Sequence, residues 1–124
     1  MNLRFLFLTA LILTTLMPLM PAHAVQGTLS SATVTRTLVT GSNTYGGCMA
    51  VLDQAINTAT PTPNCPGNWV TFSCVGTYTS KDLGFHMLDQ AQLALALNKS
   101  VLVTVDDTKK HNGYCFAFRI DVIK

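Results

Sequence analysis

VLVTVDDTKKHNGYCFAFRIDVI, Val101 to Ile123, is the stretch that decides the fold. Val101, Val103 and Val105 alternate with Leu102 and Thr104, the period of two that belongs to a strand with one covered face. Asp106 to Gly113 is polar and ends on the turn pair Asn112-Gly113, after which a second apolar run starts at Tyr114. The stretch therefore reads as a hairpin with a loop longer than two residues. In its second strand Tyr114, Phe116, Phe118, Ile120 and Val122 share one face, and Cys115, Ala117, Arg119 and Asp121 share the other. The aromatic face is expected to be core, so that Phe118→Ala should cost about 3 to 5 kcal/mol.

Upstream of the hairpin lies a helical pattern. From about Leu83 to Asn98, Phe85, Leu88, Ala91, Ala94, Leu95 and Leu97 recur at three- and four-residue spacing, with Ser80 or Asp82 as N-cap. Gly84 inside a helix costs about 1 kcal/mol relative to alanine, so the helix is expected to start just after it. Its apolar positions spread beyond one stripe, which means deep burial or contact with another subunit. His86, near the helix start, reads as a half-buried polar residue.

Three strands precede the helix. Ser31 to Thr40, SATVTRTLVT, follows a loose lead-in and is rich in β-branched residues; Cys48 to Leu52, CMAVL, follows a Gly-rich turn; Trp69 to Val75, WVTFSCV, is the third. Asp53 to Asn68, with Pro61, Pro63 and Pro66, is a surface loop. The order β-β-β-α-β-β, mainly β with one helix (α+β), matches a five-stranded antiparallel OB-like barrel. A small sandwich with the helix over an antiparallel meander is the alternative.

The first residues stand outside that pattern. A short basic start, an apolar run from Phe5 to Met20 and the small-x-small sequence Ala22-His23-Ala24 predict a signal peptide over residues 1–24, cleaved after Ala24. The run is too short, and too closely followed by the cleavage pattern, for a transmembrane anchor, so no stable membrane insertion is expected after cleavage. Residues 25–124 then form a single OB-like domain of 100 residues in the periplasm or outside the cell. Seven basic and six acidic side chains remain, a formal +1 with no basic stripe, which argues against nucleic acid.

Cys48, Cys65, Cys74 and Cys115 all lie in that domain and predict two disulfides. Of the three possible pairings, Cys48 with Cys65 and Cys74 with Cys115 is favoured, closing the proline loop and stapling two strands. No Cys-x-x-Cys pair supports zinc. With no free thiol there is no cysteine nucleophile for His86 or His111 to activate, and Ser73, Ser80 and Ser100 have neither a G-x-S-x-G elbow nor an evident base.

The helix segment MLDQAQLALALNKS feeding VLVTV, in an exported disulfide-bonded domain of this size, resembles the OB-fold B subunits of bacterial AB toxins, of the subtilase-cytotoxin type. The resemblance implies a ring of five subunits that binds cell-surface glycans, with the helices lining a central pore. It carries no sugar-binding residue over to this chain. WVTFSC and DDTKKHNGYC also look like stretches of small exported bacterial proteins without an assigned activity.

Candidate contacts remain. Asp106, Asp107 and His111 fall in one loop and have the side chains for a divalent metal or for acid–base work, although a hairpin tip wants solvated charge in any case. Trp69, Tyr45 and Tyr78 suit a binding module, since aromatic rings stack on sugars or fill partner pockets. Tyr114, in phase with Phe116, is assigned to the core, and Trp69 is expected to pack under the proline-rich loop. No catalytic residue, metal or cofactor is predicted. The expected function is non-enzymatic recognition of a surface glycan or protein, with a homo-oligomer possible; the alternative is a monomeric periplasmic accessory protein or inhibitor of a secreted or envelope enzyme.

Overall fold

The computed structural model describes residues 23–124, so the expected leader falls outside the described residues except for His23 and Ala24, which are exposed and belong to no strand or helix. Five strands and one α-helix follow: β1 (Gln26–Val39), β2 (Cys48–Leu52), β3 (Trp69–Thr71), α1 (Lys81–Leu97), β4 (Ser100–His111) and β5 (Tyr114–Ile123), with short 3-10 helices at Asn43–Tyr45 and Ile56–Thr58. The described residues are mainly β with one α-helix, in one five-stranded sheet held by two disulfides. Among the described residues no helix is long and apolar enough to cross a membrane.

The lateral strand order is β1-β2-β3-β5-β4, and β4 pairs back with β1, so the sheet closes. This order departs from the order along the chain, because β5 rather than β4 flanks β3. The expectation of a wholly antiparallel sheet is corrected here: β3 and β5 run parallel, paired at Thr71 and Phe116. The crossover through α1 delivers β4 antiparallel to β3, and the following hairpin turns β5 parallel to it.

β1 is long because it serves two neighbours. Gln26 to Thr33 pairs with β4 and Val34 to Val39 with β2, with register slips at Leu29/Ala32 and Val34/Arg36. Such irregularities bend a strand, which closing a small sheet requires. The lead-in expected to be loose is thus strand, since β4 supplies its partners. The hairpin differs from expectation too. β4 continues to His111, and the turn is the two residues Asn112-Gly113, at φ 49° and 86°, the left-handed pair of a type I′ turn. The polar DDTKK segment is absorbed by a register slip between Asp106 and Lys110.

A second slip changes which aromatics are core. Thr104 pairs with Arg119 but Val105 pairs with Ala117, leaving Phe118 as the extra residue. Ala117 and Ile120 are buried against β4, whereas Phe118 is 37% exposed. A large cost for Phe118→Ala is therefore not expected. Phe116, 2% exposed, is the buried aromatic of β5, its ring centroid 5.7 Å from that of Tyr78.

The core joins Leu29, Val34, Leu52, Val70, Val101, Val103 and Val105 of the sheet to Met87, Leu88, Ala91 and Ala94 of α1. Ser80 caps the helix, its hydroxyl accepting from Leu83 N–H at 3.2 Å, and Asn98 ends it in the left-handed conformation. Gly84 lies inside the helix, contrary to expectation. A Cβ there would stand 2.9 Å from Phe72 O and 3.0 Å from Cys74 Cα, so glycine lets the helix approach the end of β3. The opposite faces of α1 leave Leu83, Phe85, Leu93, Leu95 and Leu97 exposed. The proline-rich loop buries Ile56, Ala59, Pro63 and Cys65 and pairs with β1 through Thr60 and Thr28.

The cysteine pairing is Cys48–Cys74 and Cys65–Cys115, each with Cα atoms 5.7 Å apart, which corrects the favoured pairing. Cys48 opens β2 and Cys74 follows β3, and those strands are neighbours; Cys65 ties the proline-rich loop to the start of β5. No described cysteine is free, and two disulfides suit an oxidising compartment.

An aromatic hollow as candidate binding site

Register across three strands assembles the site. Arg36 pairs with Val51 and Val51 with Trp69; two residues along, Leu38 pairs with Met49 and Met49 with Thr71. Residues opposite one another in antiparallel strands share a face, so Arg36, Leu38, Met49 and Trp69 lie together. Ala50 and Val70, in alternate phase, point to the core.

Two turns bring in the remaining rings. Tyr114 follows the Asn112-Gly113 turn and stands 6.5 Å, centroid to centroid, from Trp69 and 6.0 Å from Tyr45. Tyr45 ends the 3-10 helix that Ser42 caps, and its carbonyl accepts from Thr71 Oγ1 at 2.9 Å, which ties this connection to β3. Arg36 lies over the Trp69 ring, its guanidinium carbon 4.8 Å from the centroid, a cation–π arrangement. Arg36, Leu38, Tyr45, Met49, Trp69 and Tyr114 enclose an open hollow of about 240 Å³.

That volume lies below the roughly 300–1,000 Å³ usual for drug-sized ligands, so it suits one ring or side chain of a larger ligand. Its lining offers aromatic faces and the guanidinium donors of Arg36, which has no ion-pair partner among the described residues. It holds no carboxylate, imidazole, thiol or serine. The arrangement offers aromatic faces for stacking and donors for hydrogen bonding. Trp69 and Tyr45 are thus brought together. Trp69 stands with Arg36 and Tyr114, and Tyr114 is half-buried in the hollow instead of in the core.

The other sequence candidates are dispersed. Asp106 is 4% exposed; Thr108 donates to its Oδ1 through N–H and hydroxyl at 2.9 and 2.6 Å, and the Lys109 ammonium is 3.4 Å from Oδ2. Burial alone pushes this carboxyl up, but the bonds from Thr108 and the charge of Lys109 outweigh it and hold the group below its ordinary range. Asp107 accepts from Val25 N at 2.9 Å and Asn64 N–H at 3.0 Å. His111 turns instead to Ser73, with Nε2 3.0 Å from Oγ, and Tyr78 packs on its ring at 4.9 Å while donating its hydroxyl to Lys110 O at 2.8 Å. The three loop residues therefore do not converge. Among the described residues no group of three His, Cys, Asp or Glu is placed to hold a metal ion.

Ser73 has a base beside it after all, which corrects the sequence reading. Ser73 is fully buried, its Oγ also accepts from Tyr78 N–H at 3.1 Å, and a Cβ on Gly46 would stand 3.0 Å from His111 Nε2. Partial burial pushes His111 below its ordinary pKa. His86, expected to be half-buried, is exposed, with Nδ1 3.8 Å from Asp89 Oδ2.

Arg36, Leu38, Met49 and Tyr114 are the site residues that sequence reasoning missed. The available signal was Arg36, a lone charge in a threonine- and valine-rich strand; what it faces depends on strand register. No protein-family model, curated protein or solved structure matches the chain.

Proposed function

We propose that the chain is an exported, non-enzymatic binding domain of OB-like architecture that recognises a surface glycan or protein through the Trp69 hollow. The closed order β1-β2-β3-β5-β4, the helix between β3 and β4, and a β3–β5 seam of a single pairing support an OB-like barrel, a five-stranded and partly open design. One observation carries the functional reading. OB barrels take oligosaccharides and oligonucleotides on the face of their second and third strands and on the β1–β2 and β4–β5 connections. Tyr45, Met49 and Trp69 come from the β1–β2 connection, β2 and β3, and Tyr114 opens β5 directly after the β4–β5 turn. The near-neutral charge favours the saccharide over a polyphosphate.

Binding of the chain from Val25 to a glycan array, followed by titration of the best hit, is the test. Trp69→Ala, which removes a central aromatic anchor, should weaken binding about 30-fold, the equivalent of roughly 2 kcal/mol. Unchanged affinity in that variant, with the fold intact by circular dichroism, would sink the assignment.

The exposed leucines of α1 favour a second reading, in which the ligand is a protein. A toxin-type ring of B subunits is the homo-oligomeric form of that contact, and a periplasmic accessory protein or inhibitor acting as a monomer is the other. Light scattering on the chain from Val25 separates them: a strictly monomeric species at micromolar concentration removes the ring.

A further inference from the structure

Cleavage after Ala24, predicted from Ala22-His23-Ala24, would make Val25 the first residue of the exported chain. Val25 lies one position before β1, and its nitrogen is 2.9 Å from Asp107 Oδ1. Asp107 N–H donates in return to Val25 O at 3.2 Å, and Asp107 Oδ2 accepts from Asn64 N–H at 3.0 Å. The neighbouring cations are engaged elsewhere. Lys109 Nζ lies 3.4 Å from Asp106 Oδ2, and Lys110 Nζ donates to Asn64 O at 2.6 Å. The charged residues that β4 carries beside Asp107 are thus Asp106, Lys109 and Lys110, and the proline-rich loop meets Asp107 through the backbone of Asn64; His23, on the same segment as Val25, leaves with the leader.

We propose that Asp107 is a receptor for the new N-terminus, an inference that rests on export and processing at Ala24. Cleavage replaces a neutral amide at this carboxylate by an α-ammonium at the same place. Before cleavage only the carboxylate of this hydrogen bond is charged; afterwards both partners are, and their mutual attraction is added to the bond. A single side chain then ties the start of β1 to β4 and to the proline-rich loop, and does so more tightly after processing than before. The paired ammonium has its pKa raised above the ordinary value of about 7.7–8.0. The added stability is full below that ordinary value and is lost as pH rises through the raised one.

An NMR titration of the Val25 α-amine in the chain beginning at Val25 tests the site. The amine should titrate about one unit or more above the ordinary value, a tenfold gain in proton affinity. Asp107→Asn should return it to that value, and a chain beginning at Ala24, whose amine lies one residue beyond Asp107, should titrate there without any substitution. An ordinary pKa at Val25 that Asp107→Asn does not move overturns the receptor. The intact mass of the exported protein tests the premise separately: a mature start other than Val25 overturns the processing step and leaves the site's chemistry to be judged by the titration.

Discussion

His111 sits where the hairpin turn, the end of β3 and the segment after it meet, bonded to Ser73 at 3.0 Å and packed on Tyr78. Ser73 Oγ accepts from Tyr78 N–H, so its own proton is free to point at His111 Nε2. Protonation turns Nε2 into a donor and removes that acceptor. Burial lowers the pKa of His111 in the folded protein, so between the two values the unfolded chain binds more protons. Stability is therefore full above the ordinary histidine value of about 6.5 and is lost as pH falls below it. Thermal melts across about pH 5 to 8 should show Tm declining on the acid side, and His111→Gln should flatten that decline. An acid decline of equal size in the variant would assign it to other groups. Sequence shows His111 as a turn neighbour with a titratable ring. It does not show Ser73, 38 positions away, as its partner. Residue type alone nominated Trp69 and Tyr45 as candidate contacts, whereas Arg36 stands beside Trp69 only through the register of β1 on β2 and β2 on β3.

Elements were readable where one periodicity runs unbroken and misread where a slip or a close approach intervenes. The alternation in β4 located its buried valines, but the same rule on β5 failed at Phe118, which is itself the extra residue opposite β4, while Ile120 beyond it is buried as expected. The helix pattern located α1 within two residues of its start, yet propensity argued against Gly84, which packing requires. Gly84→Ala tests which effect wins. Alanine is the better helix former by about 1 kcal/mol. Its Cβ would meet Phe72 O at 2.9 Å and the Cys74 backbone at 3.0 and 3.1 Å, atoms held by the sheet and by a disulfide. Overpacking costs of about 1–3 kcal/mol outweigh the helical gain when the obstructing atoms are backbone. Tm should fall by several degrees, at roughly 4–8 °C per kcal/mol in a domain this small. A rise in Tm would mean that the helix shifts away from β3 without loss.

The whole molecule depends on how its two disulfides interleave. Composition predicted two bonds, but which cysteines meet follows from which strands are neighbours, and that information lies in the closed sheet and not in the spacing. Cys48–Cys74 joins positions 26 apart and Cys65–Cys115 positions 50 apart, each enclosing one end of the other. In the chain-entropy model loops of these sizes stabilise by about 3.5 and 4 kcal/mol. A domain this small has only about 5–15 kcal/mol of net stability, so losing both bonds removes half of it or more. The same bonds hold the hollow's walls: one fixes the ends of β2 and β3, which carry Met49 and Trp69, and the other fixes Cys115 beside Tyr114. Peptide mapping without reduction should recover Cys48 with Cys74 and Cys65 with Cys115. Reduction should bring a large fall in Tm and, with it, loss of the binding proposed for the Trp69 hollow. A reduced chain that melts as before would show that the sheet and α1 suffice alone, and that the bonds serve only to protect the unfolded chain.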